Sequence, residues 1–121
     1  MDTLAPWTKV PCSAQERQAM RRGEVRASLQ QRVRGAQMTI DEEILPELER
    51  LHYEHEIAQR LLARAQAGAD RDDWEIEVSV LHDVAMMRAG DLEEQQMLIA
   101  RYEAMIAEVE ADLAAEQATG A

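Results

Sequence analysis

The longest regular pattern in the chain runs through its C-terminal third. Trp74, Val78, Leu81, Ala85, Arg88, Leu92, Gln95, Ile99, Tyr102, Ile106, Val109 and Leu113 follow one another in alternating steps of four and three residues. That alternation lines side chains along one stripe of an α-helix and is the signature of a coiled-coil seam. Only Arg88 and Gln95 interrupt its apolar character. A second seam of the same alternation precedes it: Ile44, Leu48, Leu51, His55, Ala58, Leu62 and Ala65. Between the two lies Ala67-Gly68-Ala69, where Gly68 can take the left-handed conformation that ends a helix. Asp70, Asp72 and Asp73 then suit the positive end of a new helix dipole. Two seams joined by so short a turn predict an antiparallel helical hairpin.

Upstream the pattern is weaker. Ser13 followed by Glu16 forms a capping box that starts a helix. Val25, Leu29, Val33 and Ala36 fall toward one face of it, while Gly23 and Gly35 each weaken it by about 1 kcal/mol relative to Ala. Thr39 followed by Glu42 reads as a second capping box, with Asp41, Glu42 and Glu43 at the helix start. Pro46 removes a backbone donor, so a kink or a fresh helix start is expected there. Reflected about the turn near residue 69, the end of the last helix meets residues 21–43. Either one long kinked hairpin or a shorter hairpin with a separately folded first helix satisfies this pattern.

Residues 1–12 contain Pro6 and Pro11 and no helical period, and read as an extended arm. The expected fold is therefore all-α. It is a long antiparallel coiled-coil hairpin with a basic N-terminal helix and an extended arm, with helices at about 14–36, 40–67 and 71–117. Residues 13–121 form one domain in this reading.

Charge sharpens the choice between the two arrangements. The net charge of −11 is split: residues 1–40 carry seven basic and three acidic residues, a net of +4. Residues 41–121 carry six basic against 21 acidic, a net of −15. The basic first helix and the acidic end of the last one attract, which favours the long hairpin. Composition agrees with helix throughout, since the chain has no Phe, three Pro and five Gly among abundant Ala, Glu, Arg, Gln and Leu. A single cysteine, Cys12, forbids an internal disulfide and fits a reducing compartment. No apolar run is long enough to span a membrane. The expected location is the cytoplasm, or a particle assembled there.

A second apolar stripe predicts a partner. Ile57 and Leu61 on one helix, and Val80, Val84, Met87, Leu98 and Met105 on the other, lie beside the seams. A face this broad suits three or four packed helices better than a bare pair. Leu61, Val84, Met87, Leu98 and Met105, with Trp7 and Val10 of the arm, are the expected partner-binding residues. The alternative is that the first helix folds back as a third strand and covers the stripe itself.

Three other groups carry candidate chemistry. His52, His55 and His82 fall near one level of the hairpin, and Glu49-x-x-His52 has a spacing used in ferritin-like metal sites. These four residues are the candidate metal ligands, although such a site needs further inward carboxylates that the pattern does not supply. A polar residue on a seam more commonly fixes register or oligomeric state, which is the role expected of His55, Arg88 and Gln95. Arg88 has Glu49 or Asp91 within plausible reach as an acceptor. Arg17, Arg21, Arg22, Arg26, Arg32 and Arg34 could track phosphates, but no aromatic residue interleaves them and the rest of the chain is acidic, which argues against nucleic acid. No phosphate-binding glycine loop and no nucleophile–base pair is present, so neither an enzyme nor a cofactor is expected.

The stretch LLARAQAGADRDDWEIEVSVL, residues 61–81, resembles flagellar and type III export chaperones, in which one helix ends and a short acidic Asp-Trp turn opens the next. The resemblance covers about a fifth of the chain and implies a surface that shields a client helix. From the residues themselves the expected function is non-enzymatic. The hairpin builds a helical bundle with copies of itself or with neighbouring subunits, as in a small virion or secretion-machine component. An export chaperone and a metal-binding bundle are the alternatives.

Overall fold

In the computed structural model, which describes residues 13–119, two antiparallel helical arms of 51 residues each pack side by side. The first arm comprises α1 (Ala14–Thr39), a π-helical segment (Ile40–Ile44) and α2 (Leu45–Arg64). The second is a single helix, α3 (Ala69–Thr119). Each arm is about 75 Å long at the α-helical rise. The expected extended arm, residues 1–12, lies outside the described residues.

The capping box at Ser13 forms in both directions: Glu16 N–H donates to Ser13 Oγ, and Ser13 N–H to Glu16 Oε2, each at 3.1 Å. At the far end the chain leaves α2 through an extended Ala65 (ψ 145°) and turns on Gly68 at φ 108°. Asp70 and Asp72 occupy the first turn of α3. The first arm packs on α3 along its whole length, α1 against the C-terminal half and α2 against the N-terminal half. The long hairpin, and not a separately folded first helix, is the arrangement adopted.

The expected break between residues 36 and 40 does not occur. Thr39 is helical (φ −59°, ψ −43°) and its hydroxyl donates to Gly35 O at 3.1 Å instead of capping Glu42. The helix widens there by one residue. Leu45 N–H donates to Ile40 O, five positions back, and Ile40 and Ile44 both turn inward and are buried. Two physical demands are met at once. The pyrrolidine ring of Pro46 would press on the carbonyl of Glu42 in a regular α-helix, and the wider turn relieves that contact.

The second demand is the phase of the seam. Leu29 and Leu51 are both buried and stand 22 residues apart, one more than three heptads. A strict heptad cannot keep both facing α3; one residue must be absorbed, and the π turn absorbs it.

α3 has no such insertion, and all twelve of its seam residues are withdrawn from solvent to an intermediate degree. On α1 the withdrawn stripe is Ala19, Arg22, Arg26, Leu29, Val33 and Ala36. Val25 does not belong to it: the side chain is 48% exposed. The arginines take its expected place because their aliphatic stems cover the seam while the charged heads reach its edge. The buried core is thin, consisting of Leu29, Ile40, Ile44, Leu51 and Ala58, all on the first arm. No residue of α3 is buried.

Candidate functional site

The seam divides the hairpin surface into two flanks. In heptad letters α3 has d at Trp74, Leu81 and Arg88 and a at Val78, Ala85 and Leu92, while α2 has a at Leu48, His55 and Leu62. In an antiparallel pair like letters face one another, so e positions share one flank and g positions the other. Groove linings near the loop follow this division. Leu48, Leu51, His52, His55, His82, Ala85, Met86 and Ala89 line one groove. Glu54, Ile57, Ala58, Leu61, Trp74, Glu77 and Leu81 line the opposite one.

The first of these flanks gathers the histidines. The rings of His55 and His82 face each other across the hairpin, with centroids 6.3 Å apart and planes tilted by 43°. His52, one turn before His55, lines the same groove from an exposed position. Glu49 is exposed and lines a neighbouring groove with His52 and His55. Among the described residues no three or more His, Cys, Asp or Glu side chains are arranged to hold a metal ion.

The polar seam residues tie the two arms together. Arg88 Nε donates to Glu47 Oε2 at 2.6 Å and its Nη1 donates to Asp91 Oδ2 at 2.8 Å. The acceptor across the hairpin is thus Glu47 and not Glu49. Glu47 occupies a g position beside the seam, whereas Glu49, a b position, faces away from Arg88. The hydrogen bonds to Asp91, then Glu47, raise the guanidinium pKa above its ordinary value, against a smaller opposing effect of desolvation. Gln95 is partly withdrawn on the same seam.

Near the open end two contacts do similar work. Arg22 pairs with Glu116, and the guanidinium of Arg32 lies 5.9 Å from the ring centroid of Tyr102. Glu116 is legible in retrospect, since one further step of three from Leu113 reaches it. Arg22 is reached the same way, by counting back seven from Leu29.

Arg88 offers a direct test of whether this polar layer sets register or stability. A guanidinium held between two carboxylates at a seam position can often be replaced by an apolar side chain without loss of stability. Arg88→Met is therefore expected to leave the thermal midpoint nearly unchanged. Arg88→Glu, which sets three carboxylates together, should lower it clearly. Circular dichroism melts of the two variants check this; equal behaviour of both would remove Arg88 from the interactions that hold the arms in register.

The expected partner-binding residues divide into two groups. Trp7 and Val10 lie outside the described residues. Val84, Met87 and Met105 are exposed, Met87 to 73%, while Leu61 and Leu98 are partly withdrawn beside the seam. Sequence reasoning overlooked other apolar side chains in the open: Met20, Met38, Leu45, Tyr53, Ile76, Met86 and Met97. Their signal was hidden because they sit singly among charged residues rather than in a periodic row. Every methionine among the described residues is at least half exposed. No helix among the described residues is long and apolar enough to cross a membrane.

Comparison with known proteins adds no relative: no family model, no curated protein and no solved structure matches the chain.

Proposed function

We propose that this chain is a non-enzymatic assembly protein whose helical hairpin completes its core against copies of itself or a neighbouring subunit of a larger complex. The observation that carries this reading is the absence of any buried residue on α3, a 51-residue helix with an unbroken seam. A helix of that length in a finished bundle buries a stripe completely. Beside the half-covered seam stands the second stripe with Val80, Val84 and Met87 open to solvent, an adhesive surface that a partner helix would cover. The reading places the protein in the cytoplasm or in a particle assembled there, with the segment around Trp7 and Val10 latching onto an adjacent subunit.

The test is the molar mass of the purified protein by light scattering over a concentration series. A discrete oligomer that persists on dilution is the expected result. A monomer at every concentration, with no subunit that binds it, would overturn the reading.

A second reading is favoured by one observation, the exposure of the methionines. Flexible thioether side chains make adaptable contacts with varied partners, as a chaperone shielding a client helix requires. That reading predicts a soluble monomer or dimer whose thermal midpoint rises on adding an amphipathic helical peptide. An unchanged midpoint would dismiss it.

A further inference from the structure

Charge and apolar surface are distributed along the hairpin in a way that selects one arrangement of a second copy. The whole formal charge of −11 resides in residues 41–94, the loop half, which hold 16 acidic and five basic residues. In the open half the two arms cancel: residues 13–40 net +4 and residues 95–119 net −4. The g flank shows this division most sharply. Near the loop it carries Ile57, Leu61, Val80, Val84 and Met87 among Glu54, Glu77 and Glu94. Near the open end it carries Val25, Leu98 and Met105 among Arg21, Arg32 and Arg101. Arg21 and Arg101 are exposed and make no ion pair with another described residue.

We infer that the g flank is the docking surface for a second copy of this chain, laid antiparallel so that the acidic loop half of each copy meets the basic α1 of the other. The inference rests on the assembly reading and gives it a partner and a geometry. A parallel pairing would set two loop halves of net −11 against each other, and like charges so placed oppose association. The antiparallel one joins opposite charges twice about a two-fold axis, as an isologous interface requires. The levels agree. Arg21 lies 18 residues to the open side of residue 39, the midpoint of the first arm; Glu77 lies 17 residues to the loop side of residue 94, the midpoint of α3. An antiparallel two-fold brings these two to one height. The apolar stripe of each half then covers that of the other, and the pair forms a four-helix layer.

Charge reversal tests the geometry. One chain carries R21E and R32E, another carries E54R and E77R; circular dichroism verifies that each remains helical. Each variant alone should dimerise at least about a hundredfold more weakly than the native chain, because like charges now meet at both ends. Mixed in equal amounts, the two should recover a heterodimer of near-native affinity, since every reversed end finds a reversed partner. Variants that dimerise like the native chain, or a mixture that stays monomeric, would overturn the inference while leaving assembly in another geometry open. A native chain that is monomeric at all concentrations but binds a different subunit would overturn it and spare the assembly reading. Should a reversed variant fail to fold, cross-linking decides. In a Cys12→Ser background, R21C and E77C chains mixed under mild oxidation should give the mixed disulfide. A product of R21C with itself would mark a parallel pair and overturn the inference.

Discussion

Replacing Ile44 by alanine is expected to destabilise the hairpin by about 3 kcal/mol and to lower its thermal midpoint by roughly 10 °C. Ile44 is 1% exposed and is the largest side chain taken fully out of solvent. It stands inside the π turn, where the seam of α1 hands over to that of α2. Truncation there removes apolar atoms and leaves a cavity whose walls are held by two helices in fixed phase. The neighbouring Leu45 is 39% exposed, and Leu45→Ala should cost less than about 1 kcal/mol. Urea denaturation followed by circular dichroism separates the two. Equal losses would show that the π segment does not hold the centre of the core.

The difference between these neighbours also shows which parts of the fold were legible in the sequence. The seam of α3 was legible throughout, because its twelve positions repeat without a slip and each is withdrawn from solvent in the structure. The turn at Gly68 and the cap at Ser13 were legible because each is a local device with its own residue type. The passage from α1 to α2 was not. Thr39 followed by Asp41, Glu42 and Glu43 is a good helix start by local chemistry, yet the structure runs straight through it. Local capping contributes about 1 kcal/mol, whereas keeping Ile40 and Ile44 inside holds two of the five buried residues of the core.

A signal for this was present. Ala36, Ile40, Ile44 and Leu48 are separated by three successive steps of four, one residue more than the heptad allows. Read as a phase shift rather than as a helix start, it locates the π turn.

The polar contacts were legible in kind and not in partner. That Arg88 would bind carboxylates followed from its place on the seam. Glu47 and not Glu49 receives it because g positions face the d position across an antiparallel pair. On α1 the charge of Arg22 and Arg26 concealed seam positions and shifted the expected face onto Val25. The approach of His55 to His82 was foreshadowed by their shared level, but ring separation depends on side-chain rotamers that no spacing specifies. What covers the exposed flanks was beyond the sequence for a different reason. Periodicity reports that a face is apolar and leaves open which molecule meets it.

The seam-phase account makes its largest claim about deletions, since one residue should be dispensable in one place and indispensable in another. Removing Glu43 together with Pro46→Ala brings Ile44 one step nearer Ile40, so the spacing 36–40–43–47–50 becomes an unbroken heptad. The π turn then has no residue to absorb and no proline to accommodate, and stability should change by less than about 1 kcal/mol. Removing the exposed Glu103 from α3 does the opposite. Every residue beyond it rotates by about 100°, turning Ile106, Val109 and Leu113 off the seam and parting Glu116 from Arg22. The three half-buried apolar side chains alone should account for about 3 kcal/mol, and the open end of the hairpin should fray. Urea denaturation measures the difference in stability. Hydrogen exchange shows where protection is lost, which should be residues 13–30 and 103–119. Deletions of equal cost would mean that heptad phase does not hold the arms together, and would leave Pro46 as the sole cause of the π turn.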